Sequence, residues 1–233
     1  MENPDLLTLV SLAFGLGMLH ALDADHIMAV SGLASTRVSV RNSLRFCTRW
    51  AAGHGLALLS IGTCVYLLGM AIPYDLSHYA ESAVGIMLIV IGAWILWELK
   101  SKNAHLHFHQ HDSLPEHAHW HQHHHHRHSQ HNEDPHVHQH SAVIVGILHG
   151  TAGSAPLLVL IPLAKLGSPV YAITYLVLFS AGVLMAMLLF GGFIGGIYQW
   201  LSKLGTRFVK ILRIVIASSS IVFGGYLVSG AFA

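Results

Sequence analysis

The chain has 233 residues, 53% hydrophobic and only 10% charged, with a formal net charge of +1 and a mean hydropathy of +0.55. A soluble domain carries about 25% charged residues, so this composition excludes an ordinary water-soluble globule. The net charge near zero gives no argument for a nucleic-acid partner, and two cysteines, Cys47 and Cys64, supply no disulfide framework.

Runs of roughly 18 or more apolar residues read as membrane-spanning helices. Six are expected, over about 6–32, 51–72, 80–98, 142–164, 169–199 and 209–232. The start, Met1-Glu-Asn-Pro-Asp5, is acidic and does not resemble a signal peptide. The first apolar segment carries His20, Asp23, Asp25 and His26 within seven residues. An ionisable group at mid-bilayer costs about 2.5–3.5 kcal/mol or more, so such a cluster is a functional-site hypothesis by default. On a regular helix His20, Asp23 and His26 share one face and Asp25 points nearly opposite. Either the helix is irregular there, or Asp25 orients or balances another group. Imidazole and carboxylate together suit nickel, cobalt, zinc or copper, and a carboxylate orients a ligating histidine.

The loop after this segment holds Arg37, Arg41, Arg45 and Arg49 without an acidic residue, and Cys47 falls in it. The second segment opens on Gly53-His54-Gly55; a lone intramembrane histidine is either a ligand or a hydrogen-bonding contact between helices. His78, after the second segment, reads as solvated. The stretch 100–141 is a different material, with sixteen of the 21 histidines between His105 and His140 among polar residues. It has too few apolar residues for a packed core and is expected to be a disordered, metal-binding tether, or else a plain solvated linker.

The fourth segment contains His149-Gly-Thr151-Ala-Gly-Ser154-Ala-Pro156, followed by Pro162. The prolines interrupt a helix's hydrogen bonds, which a membrane tolerates only where the break lines protein or a cavity. Thr151 and Ser154 can offer oxygen ligands or satisfy the freed backbone. Between the fifth and sixth segments lie Lys203, Arg207 and Lys210, with Arg213 just inside the sixth. With six spans, the loops on one side hold 11 of the 12 Lys and Arg residues, leaving Lys165 on the other. The positive-inside rule then places the His-rich loop in the cytoplasm and both termini outside, in the cell inner (plasma) membrane.

The two halves resemble one another. Gly17-Met-Leu-His20-Ala21 aligns with Gly146-Ile-Leu-His149-Gly150, and Ala52-Gly53, Ala57, Leu59 and Gly62 with Ala181-Gly182, Ala186, Leu188 and Gly191. Ile89-Val-Ile-Gly-Ala-Trp94 aligns, slightly shifted, with Ile221-Val-Phe-Gly-Gly-Tyr226. Three spans per half make the second copy inverted, an architecture of secondary transporters with the substrate near midplane. The expected fold is thus an all-α integral membrane protein: a first three-helix repeat over 1–99, the His-rich loop over 100–141 and a second repeat over 142–233.

The segment His20-Ala-Leu-Asp-Ala-Asp25-His26 resembles the His-x4-Asp-His signature of the nickel/cobalt transporter family, and Gly53-His54 resembles that family's second histidine motif. Leu148-His149-Gly-Thr-Ala-Gly-Ser-Ala-Pro156 departs from the motif of the large members, which have eight spans, and resembles a shorter, urease-accessory-like branch. A His-rich loop is similar to that of the efflux branch. The resemblance implies a metal role for His20, Asp25 and His26, and for His54. It also implies metallochaperones or urease or hydrogenase maturation factors as partners. The expected function is secondary transport of Ni²⁺ or Co²⁺, inward or outward, at a site of His20, Asp23, Asp25, His26, His54 and His149, with the ion as substrate and no resident cofactor. No phosphate-binding Gly-x4-Gly-Lys-Ser/Thr loop is present, so the chain itself is not expected to hydrolyse ATP, nor to be an enzyme. The rivals are a membrane metal sensor or accessory subunit working through the His-rich loop, and a six-helix thiol-disulfide carrier, which requires paired cysteines at equivalent positions.

Overall fold

The computed structural model describes residues 6–35, 39–68, 74–100, 104–111, 114–122, 137–151 and 168–230. In chain order they form α1 (Leu6–His20), α2 (Ala24–Ala34), α3 (Val40–Leu68), α4 (Tyr74–Lys100), β1 (Ala104–His111), β2 (Leu114–Gln122), α5 (Val137–Thr151), α6 (Pro169–Leu204) and α7 (Thr206–Gly230). Among the described residues, four helices are long and apolar enough to cross a membrane, and α1 with α2, bent by 58° at a short break, makes a fifth if the pair is one span. Of the expected span over 142–164 only the apolar helix Ala142–Thr151 is described; Ser154, Pro156 and Pro162 lie outside the described residues, as do Arg37, Lys102, Arg127 and Lys165. Leu7, Leu67, Val90, Trp97, Leu189, Phe193 and Val222 are exposed, as expected of side chains whose solvent is lipid.

The helices pack in two groups. α3 lies along both α5 and α6, α1 lies along α6, and α4 lies along α7; the short α2 reaches to both groups. Small residues set the closest approaches. A side chain at Gly17 would meet the Phe179 carbonyl and one at Gly146 the Trp50 carbonyl; likewise Gly53 faces the Val143 carbonyl and Gly182 that of Phe14. In the other group Gly85 and Gly224 press against each other's carbonyls, and Gly92 against that of Ala217. Glycine contacts of this kind let helices associate through dense packing where lipid offers no hydrophobic drive.

Three expectations need correction. The segment bearing Arg41, Arg45 and Arg49 is not a loop but the first turns of α3, so Cys47 is helical. The arginines recur every fourth residue on one outward face, while Ser43, Phe46, Cys47 and Trp50 are buried on the other. Arg213 is not an outward charge: it is fully buried and its Nη2 donates to Glu98 Oε2 at 2.5 Å, joining α7 to α4. The His-rich stretch is not wholly unstructured, because β1 and β2 pair antiparallel with His105 opposite His121, His107 opposite His119 and His109 opposite His117. Between these pairs stand Leu106 with Trp120 and Phe108 with Ala118. This alternation of polar and apolar residues has the period of a strand, which overrides the low overall apolar content.

Candidate metal centre

The break between α1 and α2 creates the site. At the end of α1 the backbone tightens: Leu22 N–H donates to Leu19 O and Asp23 N–H to His20 O, both at 3.0 Å. Asp23 then adopts an extended conformation (φ −60°, ψ 149°) and becomes the N-cap of α2. An N-cap aspartate ordinarily accepts from an N–H of the helix it starts. Asp23 makes no such cap; its Oδ2 accepts from His20 Nδ1 at 2.9 Å. Asp25 and His26 follow in the first turn of α2, where the positive end of the helix dipole favours a carboxylate.

His20 ends α1, His26 opens α2, His54 sits in mid-α3 and His149 near the end of α5, and each is 1% exposed. His26 is central: its ring centroid lies 4.6 Å from that of His20, 5.3 Å from His54 and 4.9 Å from His149. The regular-helix argument fails here, because the bend reorients everything after residue 23. Of the two alternatives the helix is irregular, and Asp25, which a regular helix would point away, is in the cluster. Its Oδ1 accepts from His26 Nδ1 at 3.2 Å, and its Oδ2 lies 3.8 Å from His149 Nε2. Asp23 is the more peripheral carboxylate, its side chain 40% exposed against 18% for Asp25.

The hydrogen bonds set the tautomers. A neutral imidazole that donates through Nδ1 keeps its lone pair on Nε2. His20 donates to Asp23, His26 to Asp25, and His149 Nδ1 to Val145 O at 3.3 Å. Three lone pairs are thereby held on Nε2. His20 Nε2 lies 3.3 Å from His54 Nε2, whereas His26 Nε2 and His149 Nε2 are buried without a hydrogen-bond partner. Buried ring nitrogens without partners are unusual, and a cluster of them has the chemistry of a ligand set for a borderline-soft cation. Two groups of ligand atoms meet the spacing a metal needs: His20 with His26 and His54, and Asp25 with His26 and His149, each within 4.8 Å.

Thr151 does not join them; its hydroxyl donates to Leu148 O and it is exposed. Two aromatic residues that sequence reasoning did not single out enclose the site. Trp50 is fully buried, stacks on His26 with centroids 5.8 Å apart and meets His149 edge-on at 5.0 Å. Phe179 stacks on His20 at 5.8 Å. The spacing that relates His20 to His149 also relates Trp50 to Phe179, so the repeat was the signal that could have found them.

The family model described as the cytochrome C biogenesis protein transmembrane region matches residues 27–219. That match begins one residue past His26, and so does not reach the His20–His26 segment. The chain is also similar to the urease accessory protein UreH of Bacillus sp. (strain TB-90), at 30% identity over 195 residues, covering 84% of this chain and 79% of the relative. No solved structure matches it.

Proposed function

We propose that this chain, a multi-pass membrane protein that belongs to the family of the cytochrome C biogenesis protein transmembrane region, is a secondary transporter for Ni²⁺ or Co²⁺. The observation that carries this reading is the convergence of four buried histidines and Asp25 inside the apolar helices. The substrate is a dehydrated divalent ion held by imidazole nitrogens, with Asp25 balancing part of its charge; Asp23 orients His20. The printed name of UreH, a urease accessory protein, favours nickel, as does the resemblance of His20-to-His26 to the nickel/cobalt transporter signature.

The architecture we propose is a pair of inverted three-helix repeats with the His-rich segment cytoplasmic. Supporting it, the close contacts come in matched pairs under the repeat alignment. Gly17 against Phe179 answers Gly146 against Trp50, Gly53 against Val143 answers Gly182 against Phe14, and Gly85 against Gly224 answers Ala217 against Gly92. Reciprocal contacts of this kind are what a two-fold relation requires.

A thiol-disulfide carrier is the rival reading. Cys47 and Cys64 both lie on α3, seventeen residues apart, which on a helix is roughly 25 Å. A disulfide needs Cα atoms within about 7 Å, so these two cannot pair within one chain.

Flux of radiolabelled nickel and cobalt in vesicles of known orientation, with and without a pH gradient, tests the proposal. The wild-type chain should move the ion and His26→Ala should reduce flux to background. Equal flux in the two sinks the midplane site. Direction of net flux distinguishes uptake from efflux.

A further inference from the structure

The candidate ligands form two sets that intersect in one ring. His20, His26 and His54 bring together α1, α2 and α3; Asp25, His26 and His149 bring together α2 and α5. With Nδ1–H donated to Asp25, His26 has a single lone pair, and one lone pair serves one ion at a time. Two ions therefore cannot fill the two sets at once. Building on the transport reading above, we infer that one metal ion occupies the two sets in turn, and that His26 stays bound as it is handed from His20 and His54 to Asp25 and His149.

The two sets differ in chemistry in a way that gives the exchange a purpose. The first is three imidazoles with no carboxylate; the second replaces one nitrogen with the oxygen of Asp25 and so offsets one charge of a dication. Both suit the same borderline metals. The atoms of the second set are already close, with Asp25 Oδ2 3.8 Å from His149 Nε2, and each outer ligand sits on a different helix from its counterpart. His26 sits in the first turn after the 58° bend, on the same helix as Asp25, between His20 and His54 on one side and His149 on the other. An ion that always keeps one ligand is never released bare into an apolar interior, where an uncompensated charge is most costly.

A double-mutant cycle on the full-length chain in lipid nanodiscs tests this, with Co²⁺ as the probe, read by its visible absorption and by equilibrium binding. If the sets are alternatives, His54→Ala and His149→Ala each leave one set whole, so each weakens Co²⁺ binding by no more than about tenfold. The double variant then falls about a hundredfold further than the product of the single effects. The absorption of His149→Ala should be that of an all-nitrogen set and that of His54→Ala a mixed nitrogen–oxygen set, while flux is lost in both. His54→Gln and His149→Gln, which keep a polar side chain, repeat the cycle should the alanine variants fold poorly. Single variants that each abolish binding, with the double no worse, would overturn the hand-off in favour of one undivided site while leaving metal transport standing. Flux retained in either single variant would overturn it too. A wild-type chain that binds neither Co²⁺ nor Ni²⁺ overturns the metal reading itself.

Discussion

Asp23 and Asp25 are two residues apart, yet the bend gives them different work. Asp23 accepts from Nδ1 of His20, whereas Asp25 holds His26 and also faces His149. Loss of a carboxylate that orients a ligating histidine costs about 10–100-fold in metal affinity, which is the expected effect of Asp23→Asn. Asp25→Asn should cost more, since it removes a ligand atom and the orienting partner of His26 together. Equilibrium binding of Co²⁺ to the two variants checks the order; a larger loss in Asp23→Asn would reverse the assignment. The histidines were legible in the sequence because ionisable groups are rare in apolar segments and each is conspicuous. The role of Asp25 followed from the resemblance but not from helix geometry, because Ala21-Leu22-Asp23 contains neither proline nor glycine to announce a bend. The tightened turn after Leu19 and the extended backbone of Asp23 produce it. Trp50 was hidden for the opposite reason: an aromatic residue in an apolar helix is ordinary, and its role lies in what it touches.

Between elements, the Arg213–Glu98 pair joins α7 to α4. Removing one partner of a buried pair leaves an uncompensated charge, at a cost of about 3–5 kcal/mol. Glu98→Gln should therefore lower the midpoint of thermal unfolding in detergent markedly, while Glu98→Leu with Arg213→Met should recover most of the loss. A double variant as unstable as the single one would show that the pair has another role. The glycine approaches give a second expectation at this scale. Gly146→Leu places a branched side chain against the Trp50 carbonyl and indole, displacing α5 from α3, and with it His149 from the cluster. Yield of folded protein and metal binding should both fall, whereas Gly196→Leu, with open space around it, should leave both unchanged. Helix ends were less legible than helix cores. The arginine spacing in 41–49 already carried the helical period, but positive charges flanking an apolar run read first as a loop.

For the whole molecule, the His-rich segment and the membrane helices separate into two tests. Deleting 104–122 removes both strands and should leave the flux of nickel or cobalt measurable with altered efficiency, because the buried cluster is intact. Complete loss of function on that deletion would favour a sensor acting through the segment. The same architecture shows what sequence reading could and could not reach at this scale. Apolar run length made the membrane class plain. The strand pairing was obscured because its alternation is of histidine with leucine, phenylalanine, alanine and tryptophan, within a composition otherwise typical of unfolded chain.

Register has a genetic consequence in that ribbon. The register matches histidine with histidine at three positions and pairs Leu106 with Trp120 and Phe108 with Ala118 between them. Inserting one residue between Phe108 and His109 would shift every later partner by one place and pair histidines with apolar residues, whereas inserting two would keep the alternation in step. Length variation among natural sequences of this segment should therefore favour even-numbered insertions and deletions within the strands, a parity bias that a count of such changes can check without any protein being made.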